Sequence, residues 1–264
     1  MKKIAFLLFS LFTALALVFV ACSDNATEPE LTEGDYQDPN YQTARMITES
    51  IVDTLFMEAD AASDFINFDG SEPMQASDSL LITFDEETCW WHIYVGADTT
   101  NASLLFVDSL KFQDAEGCQM FPDSFTTTSI EYRAYLDIDL ISDSATIVAT
   151  ANENLLLEGI QDDTCVINAT AASNLELASS LYEISYDYSG ALDDIKFLTL
   201  ELMNEEDPRP VAGTMILNLI IFGSNQQGSG SWNWAVIITF NEGGYHARAE
   251  SGENYWEWDV TYVT

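Results

Sequence analysis

Three cysteines, one misplaced acid and six tryptophans are the residues with chemistry to offer. Cys89, Cys118 and Cys165 can close one bridge in an oxidising compartment and leave one thiol over. A simple meander puts all three near one end of a sheet, with Cys89–Cys118 the first-choice pair. Three buried thiols acting as small hydrophobes is the alternative. Glu153 interrupts an otherwise apolar strand face, near Tyr132 and Ala169 in the register given below. A carboxylate there must be paired, protonated or wet, unless a bulge at Asn152-Glu153-Asn154 turns it outward. Trp90-Trp91, Trp232/Trp234 and Trp256/Trp258 fall on strand-like stretches. In one register Trp256 and Trp258 share a face with His246, Arg248 and Glu250. Apolar surface beside a few polar groups is what small-molecule pockets use, and flat aromatic platforms also suit sugars. Plain core tryptophan is the competing reading.

Other chemistry finds no pattern. His92 and His246 are the only histidines, and they form no zinc-ligating pair. There is no Gly-x-Ser-x-Gly elbow, P-loop or dinucleotide fingerprint. Asn67-Phe68-Asp69-Gly70 copies part of a calcium loop, but Phe65 and Ala76 occupy its first and last ligand places. Acidic loops such as Asn204–Asp207 offer weak calcium ligands at most. No catalytic residue, resident metal or cofactor is expected.

The elements that must position these residues are strands. Ser129–Leu177 reads as three long antiparallel strands. Ile130, Tyr132, Ala134, Leu136, Ile138 and Leu140 alternate with Glu131, Arg133, Tyr135, Asp137 and Asp139, so one face is buried and one wet. Ser142-Asp143 is a candidate two-residue turn. Pairing Ile141 with Ser144 puts Leu140 opposite Ala145, Ile138 opposite Ile147 and Leu136 opposite Ala149, and both apolar sets then share a face. Cys165, Ile167, Ala169, Ala171, Leu175 and Leu177 continue it. The middle of this face is small, with Ala134, Ala149, Ala151, Ala169 and Ala171, which leaves room for a helix, a second sheet or a ligand.

Further strands are expected over Leu80–Phe84, Cys89–Val95, Ser103–Phe112, Tyr182–Tyr188, Ile195–Met203, Val211–Phe222, Trp232–Phe240, Tyr245–Glu250 and Tyr255–Val263. Gln113–Thr128 reads as a loop. The fold class is mainly β: an antiparallel meander forming a barrel, half-barrel or sandwich. One N-terminal helix, 41–66, follows from Ala44, Ile47, Ile51, Leu55, Ala59 and Ala62 at three- and four-residue steps. Its stripe should cover the alanines of the central strands. Residues 41–264 make a single domain, the β part being 80–264.

The chain has 264 residues with 44 acids against 8 bases, a formal net charge of −36. So negative a surface argues against nucleic acid as a partner. Lys2-Lys3 followed by the apolar run Ile4–Val20 is a secretory leader. Its ending, Val18-Phe19-Val20-Ala21-Cys22, resembles the lipobox of bacterial lipoproteins, with Phe19 where leucine is usual. That resemblance implies a signal peptide over 1–21, acylation of Cys22 and, from Ser23, sorting to the outer membrane. Residues 22–40, with Pro29, Gly34 and Pro39, then form an acidic flexible tether. No second run reaches the roughly 20 apolar residues of a spanning helix. Val107–Asp114 and Phe121–Ser124 resemble β-rich bacterial lipoproteins of uncharacterised activity.

Together these readings describe a non-catalytic cell-envelope protein, lipid-anchored in the outer membrane and facing the periplasm or the surface. Its β domain would bind an apolar ligand or a protein partner, with Glu153, Tyr132, Trp256, Trp258, His246 and Arg248 as candidate contacts. A carbohydrate-binding module using surface tryptophans is the alternative.

Overall fold

The computed structural model describes residues 32–38, 41–46, 48, 49, 52, 80–123, 125–142, 144–203, 208–225 and 228–262. Its strands are β1 (Thr32–Glu33), β2 (Leu80–Asp85), β3 (Trp90–Thr99), β4 (Ala102–Asp114), β5 (Gly117–Gln119), β6 (Ser129–Ile141) and β7 (Ala145–Glu158). They continue as β8 (Thr164–Ser179), β9 (Tyr182–Leu198), β10 (Ala212–Asn225), β11 (Gly228–Asn241), β12 (Gly244–Ser251) and β13 (Asn254–Thr261). All belong to one sheet in the order β1-β13-β12-β11-β10-β9-β8-β7-β6-β4-β3-β2, with β5 paired to β4. Neighbours are antiparallel except β1 and β13. The end strands β1 and β2 do not pair with each other, so the sheet is open and the expected barrel closure is not seen.

Alternation explains the layering. On β10, Met215, Leu217, Leu219 and Ile221 are buried while Ile216, Ile220 and Phe222 stand exposed. On β11 the buried set is Trp232, Trp234, Val236, Ile238 and Phe240. This core face continues through Leu175, Leu157, Ile130 and Leu110, forming one apolar cluster. A single sheet face needs a cover, and part of it comes from the N-terminal segment. Residues 41–46, 48, 49 and 52 are helical, and Tyr41, Ala44, Thr48 and Val52 are buried. Tyr41 rests on Trp256 and Trp258, at ring separations of 6.4 and 5.8 Å. Tyr41 therefore sits on the tryptophan-rich strands, and Ala44 lies beside Tyr188 and Leu217. The rest of the expected helix lies outside the described residues.

Several expected boundaries change. The β6–β7 connection spans residues 142–145, with the Ser142 amide donating to the Ala145 carbonyl at 2.9 Å and Ile141 paired to Thr146. Leu140 therefore faces Ile147, Ile138 faces Ala149 and Leu136 faces Ala151, two residues from the expected register. An even shift preserves the faces, which is why the apolar alternation could not reveal it. Ile195–Met203 is not a separate strand: β9 runs on to Leu198, and a short helix, Thr199–Met203, follows. Within the expected loop Gln113–Thr128, β5 forms a small ribbon on β4. The tether is not free along its whole length either. The Thr32 amide donates to the Glu253 carbonyl at 2.9 Å and the Gly34 amide to Tyr255 at 2.8 Å, tying β1 to the sheet edge.

Candidate functional site

The site is a transverse row of the core face. Strand pairing aligns Ile93 of β3, Asp108 of β4, Ala134 of β6, Glu153 of β7, Ala171 of β8, Gly190 of β9 and Leu217 of β10. Side chains opposite one another in a sheet share a face, so two acids stand on the apolar side, one strand apart. No bulge forms at Glu153: β7 pairs without interruption from Ser129↔Glu158 to Ile141↔Thr146. Asn152 and Asn154 take the exposed face instead. The bulge expectation fails because the uninterrupted ladder of β6, β7 and β8 outweighs the cost of one inward acid.

Around the acids the side chains are small, although the Tyr188 ring and Leu217 close over Gly190 and Ala134 is buried. Ala134, Ala171 and Gly190 lie in the row, and Ala151 and Ser173 lie in the row beside it. The Tyr132 hydroxyl donates to Asp108 Oδ1 at 2.7 Å. With the observed register Tyr132 faces Leu155, so its polar partner is Asp108 rather than Glu153. Burial pushes the Asp108 carboxyl up to about 6, against which the Tyr132 hydrogen bond works. Glu153 is pushed higher, to about 7, by burial first and by the charge of Asp108 second. Between them the two groups favour retaining a proton near neutrality.

Asp108 was missed in the sequence although its signal is of the same kind. Phe106, Leu110 and Phe112 are the buried apolar set of β4, and Asp108 interrupts their alternation. The disulfide lies farther along, at the end of β4. Cys89 and Cys118 are bonded, with Cα atoms 5.9 Å apart, and clip the β5 ribbon to the start of β3. Cys165 is buried and free, its thiol pushed up to about 11 by burial.

The tryptophan cluster is split from its expected polar companions. In β12 and β13, Ala247 pairs with Trp258 and Ala249 with Trp256, while Arg248 pairs with Glu257 and His246 with Asp259. Trp256 and Trp258 are therefore buried, and His246 and Arg248 lie on the opposite face. The reason is steric: alanines facing inward leave room for two indoles, and a one-residue slip would bury Arg248 in their place. On the outer face His246 Nδ1 lies 3.0 Å from Asp259, and Arg248 bonds Glu250 and Glu257 at 2.8 and 3.1 Å. Trp234 stacks on Trp256 at 5.5 Å, and the Trp256 indole donates to the Asp35 carbonyl. The indole N–H groups of Trp232, Trp234 and Trp258 are buried without an acceptor. Trp232 and Trp234, with Ala44, Tyr188, Leu217, Leu219 and Val236, line a void of about 10 Å³. That is room for about one water molecule.

A second polar contact lies on the outer face, where His92 Nδ1 is 2.9 Å from the Ser109 hydroxyl. Arg133 is opposite Ser109 on β6, and its guanidinium lies over the Trp90 ring at 4.5 Å. Among the described residues no group of three or more His, Cys, Asp or Glu could hold a metal ion. Compared with known protein families, curated proteins and solved structures, the chain matches none.

Proposed function

We propose that this is a non-catalytic cell-envelope protein whose β domain binds an apolar small molecule on the core face of β4, β6, β7 and β8. One observation carries the reading. Asp108 and Glu153 stand on an apolar face in one row with the small residues Ala134 and Ala171. A purely structural face would place apolar side chains there, because inward acids cost stability. An apolar body over the small residues, with a polar end toward the acids, uses both features. The leader and Cys22 lie outside the described residues; their lipobox resemblance supports a lipid anchor at Cys22 in the outer membrane. No described helix is long and apolar enough to cross a membrane.

Nothing favours the sugar-platform alternative, which needs exposed, coplanar indoles. Trp90, Trp232, Trp234, Trp256 and Trp258 are buried, and Trp91 lies against Phe84 and Phe121.

The test is native mass spectrometry of the protein purified from its own envelope, beside an Ala171→Trp variant that adds bulk to this row. The wild type is expected to carry a small-molecule adduct and the variant to lose it. No adduct, or an adduct kept by a folded variant, would overturn the reading.

A further inference from the structure

We propose that Asp108 and Glu153 form a proton-operated latch on the core face: β4, β6 and β7 hold together while the pair keeps a proton and loosen when both groups ionise. This inference rests on the geometry of the pair and stands whether or not a ligand binds there.

Among the described residues, no base faces the pair from the neighbouring strands. Facing it on β3 are Trp91, Ile93 and Val95, and on β4 Phe106 and Leu110. β6 offers Tyr132, Ala134 and Leu136; β8 offers Ala169, Ala171 and Ser173; β9 offers Tyr188, Gly190 and Leu192. The titratable groups among these are the phenols of Tyr132 and Tyr188, and Tyr186 lies two residues along β9 on the same face. The described bases of the strands are all on the other side. Lys111 and Arg133 meet Glu131, His92 meets Ser109, and Arg248 meets Glu250 and Glu257. Lys196 pairs in register with Val166 on that outer side.

Two carboxylates with one strand between them, and no cation beside them among the described residues, repel in a low-dielectric setting. One proton removes the repulsion and leaves Asp108 free to accept from Tyr132. Both acids have folded values above the ordinary carboxylate range. The native state therefore binds more protons than the unfolded chain. The resulting stability is full at acid pH and is lost as pH rises through the folded values. Retention of one extra native proton makes the unfolding constant rise about tenfold per pH unit within that window.

Two measurements decide the matter. The first is a carboxyl-carbon NMR titration of the wild-type protein. Glu153 is expected to titrate near neutrality and to sense Asp108; ordinary, independent titration of both acids would overturn the latch. The second is urea unfolding from about pH 5 to about pH 9 in about 0.5 M sodium chloride, which screens surface charge. The wild type should lose stability steeply up to about pH 7 and level off above it, E153Q and D108N should flatten the fall, and the double variant should add little. An unchanged slope in a folded variant would sink the proposal. If neither variant folds, the wild-type titration alone decides it.

Discussion

At the residue scale Glu153 is the most informative position. It could be singled out in the sequence because strict alternation on both flanks left it on the apolar side. What the sequence could not supply was its neighbour. The two-residue shift in the β6–β7 pairing moved Glu153 from Tyr132 to Ala134, and Asp108 entered through β4, on the far side of Ala134. An acid held inward, with no base facing it among the described residues, costs stability. Glu153→Leu should therefore raise stability at about pH 8 by roughly 1–3 kcal/mol, as replacing a buried charged group with an apolar one of similar size often does. The urea midpoint at constant slope measures it. A loss of stability would mean that the carboxylate has a structural role this geometry does not explain.

The element scale shows where local rules suffice. The bonded cysteines are the first-choice pair because strand order alone brings the start of β3 beside the segment after β4. The final strands show the opposite. Trp256/Trp258 and His246/Arg248 both alternate acceptably on paper, and only packing of Ala247 and Ala249 against the indoles selects the face. The docked part of the tether was hidden for a related reason. Residues 32–38 look polar and loose, yet β1 gains backbone hydrogen bonds from the edge of β13. A Cβ at Gly34 would collide with the Trp256 indole, so glycine there permits the close approach. For the disulfide, the 29-residue separation sets the expected effect. Replacing Cys89 and Cys118 together by serine should cost about 3–4 kcal/mol through the freed entropy of the unfolded chain. Chemical denaturation under oxidising conditions checks this. A cost near zero would mean that β5 and its loop are held mainly by their own contacts, such as the Thr127 hydroxyl to Gln119 at 2.6 Å.

At the scale of the whole molecule, charge is the dominant unresolved force. The six bases beyond the leader cannot offset 44 acids, and the described ion pairs are local. Arg45 meets Glu49, Lys111 and Arg133 share Glu131, and Arg248 takes Glu250 and Glu257. Apart from Asp108 and Glu153, many described acids are exposed, among them Glu176, Glu183 and Asp187, and such charges repel one another through water. Such repulsion is screened once the Debye length falls below the spacing of the charges, from about 30 Å at 0.01 M to about 8 Å at 0.15 M salt. The melting temperature should therefore climb by several degrees over that range and level off beyond it. Sodium and choline chloride should act alike if screening is the cause. A larger rise with calcium chloride at equal ionic strength would point instead to cation binding by acidic loops. A flat series would show that the charges are too widely spaced to matter. The latch makes the experiment sharper, because Asp108 and Glu153 stand on the core face, where mobile ions screen poorly. High salt should remove the surface contribution and leave the pH dependence of the pair. E153Q should then remove that remainder, so salt and mutation act on separable parts of the same curve.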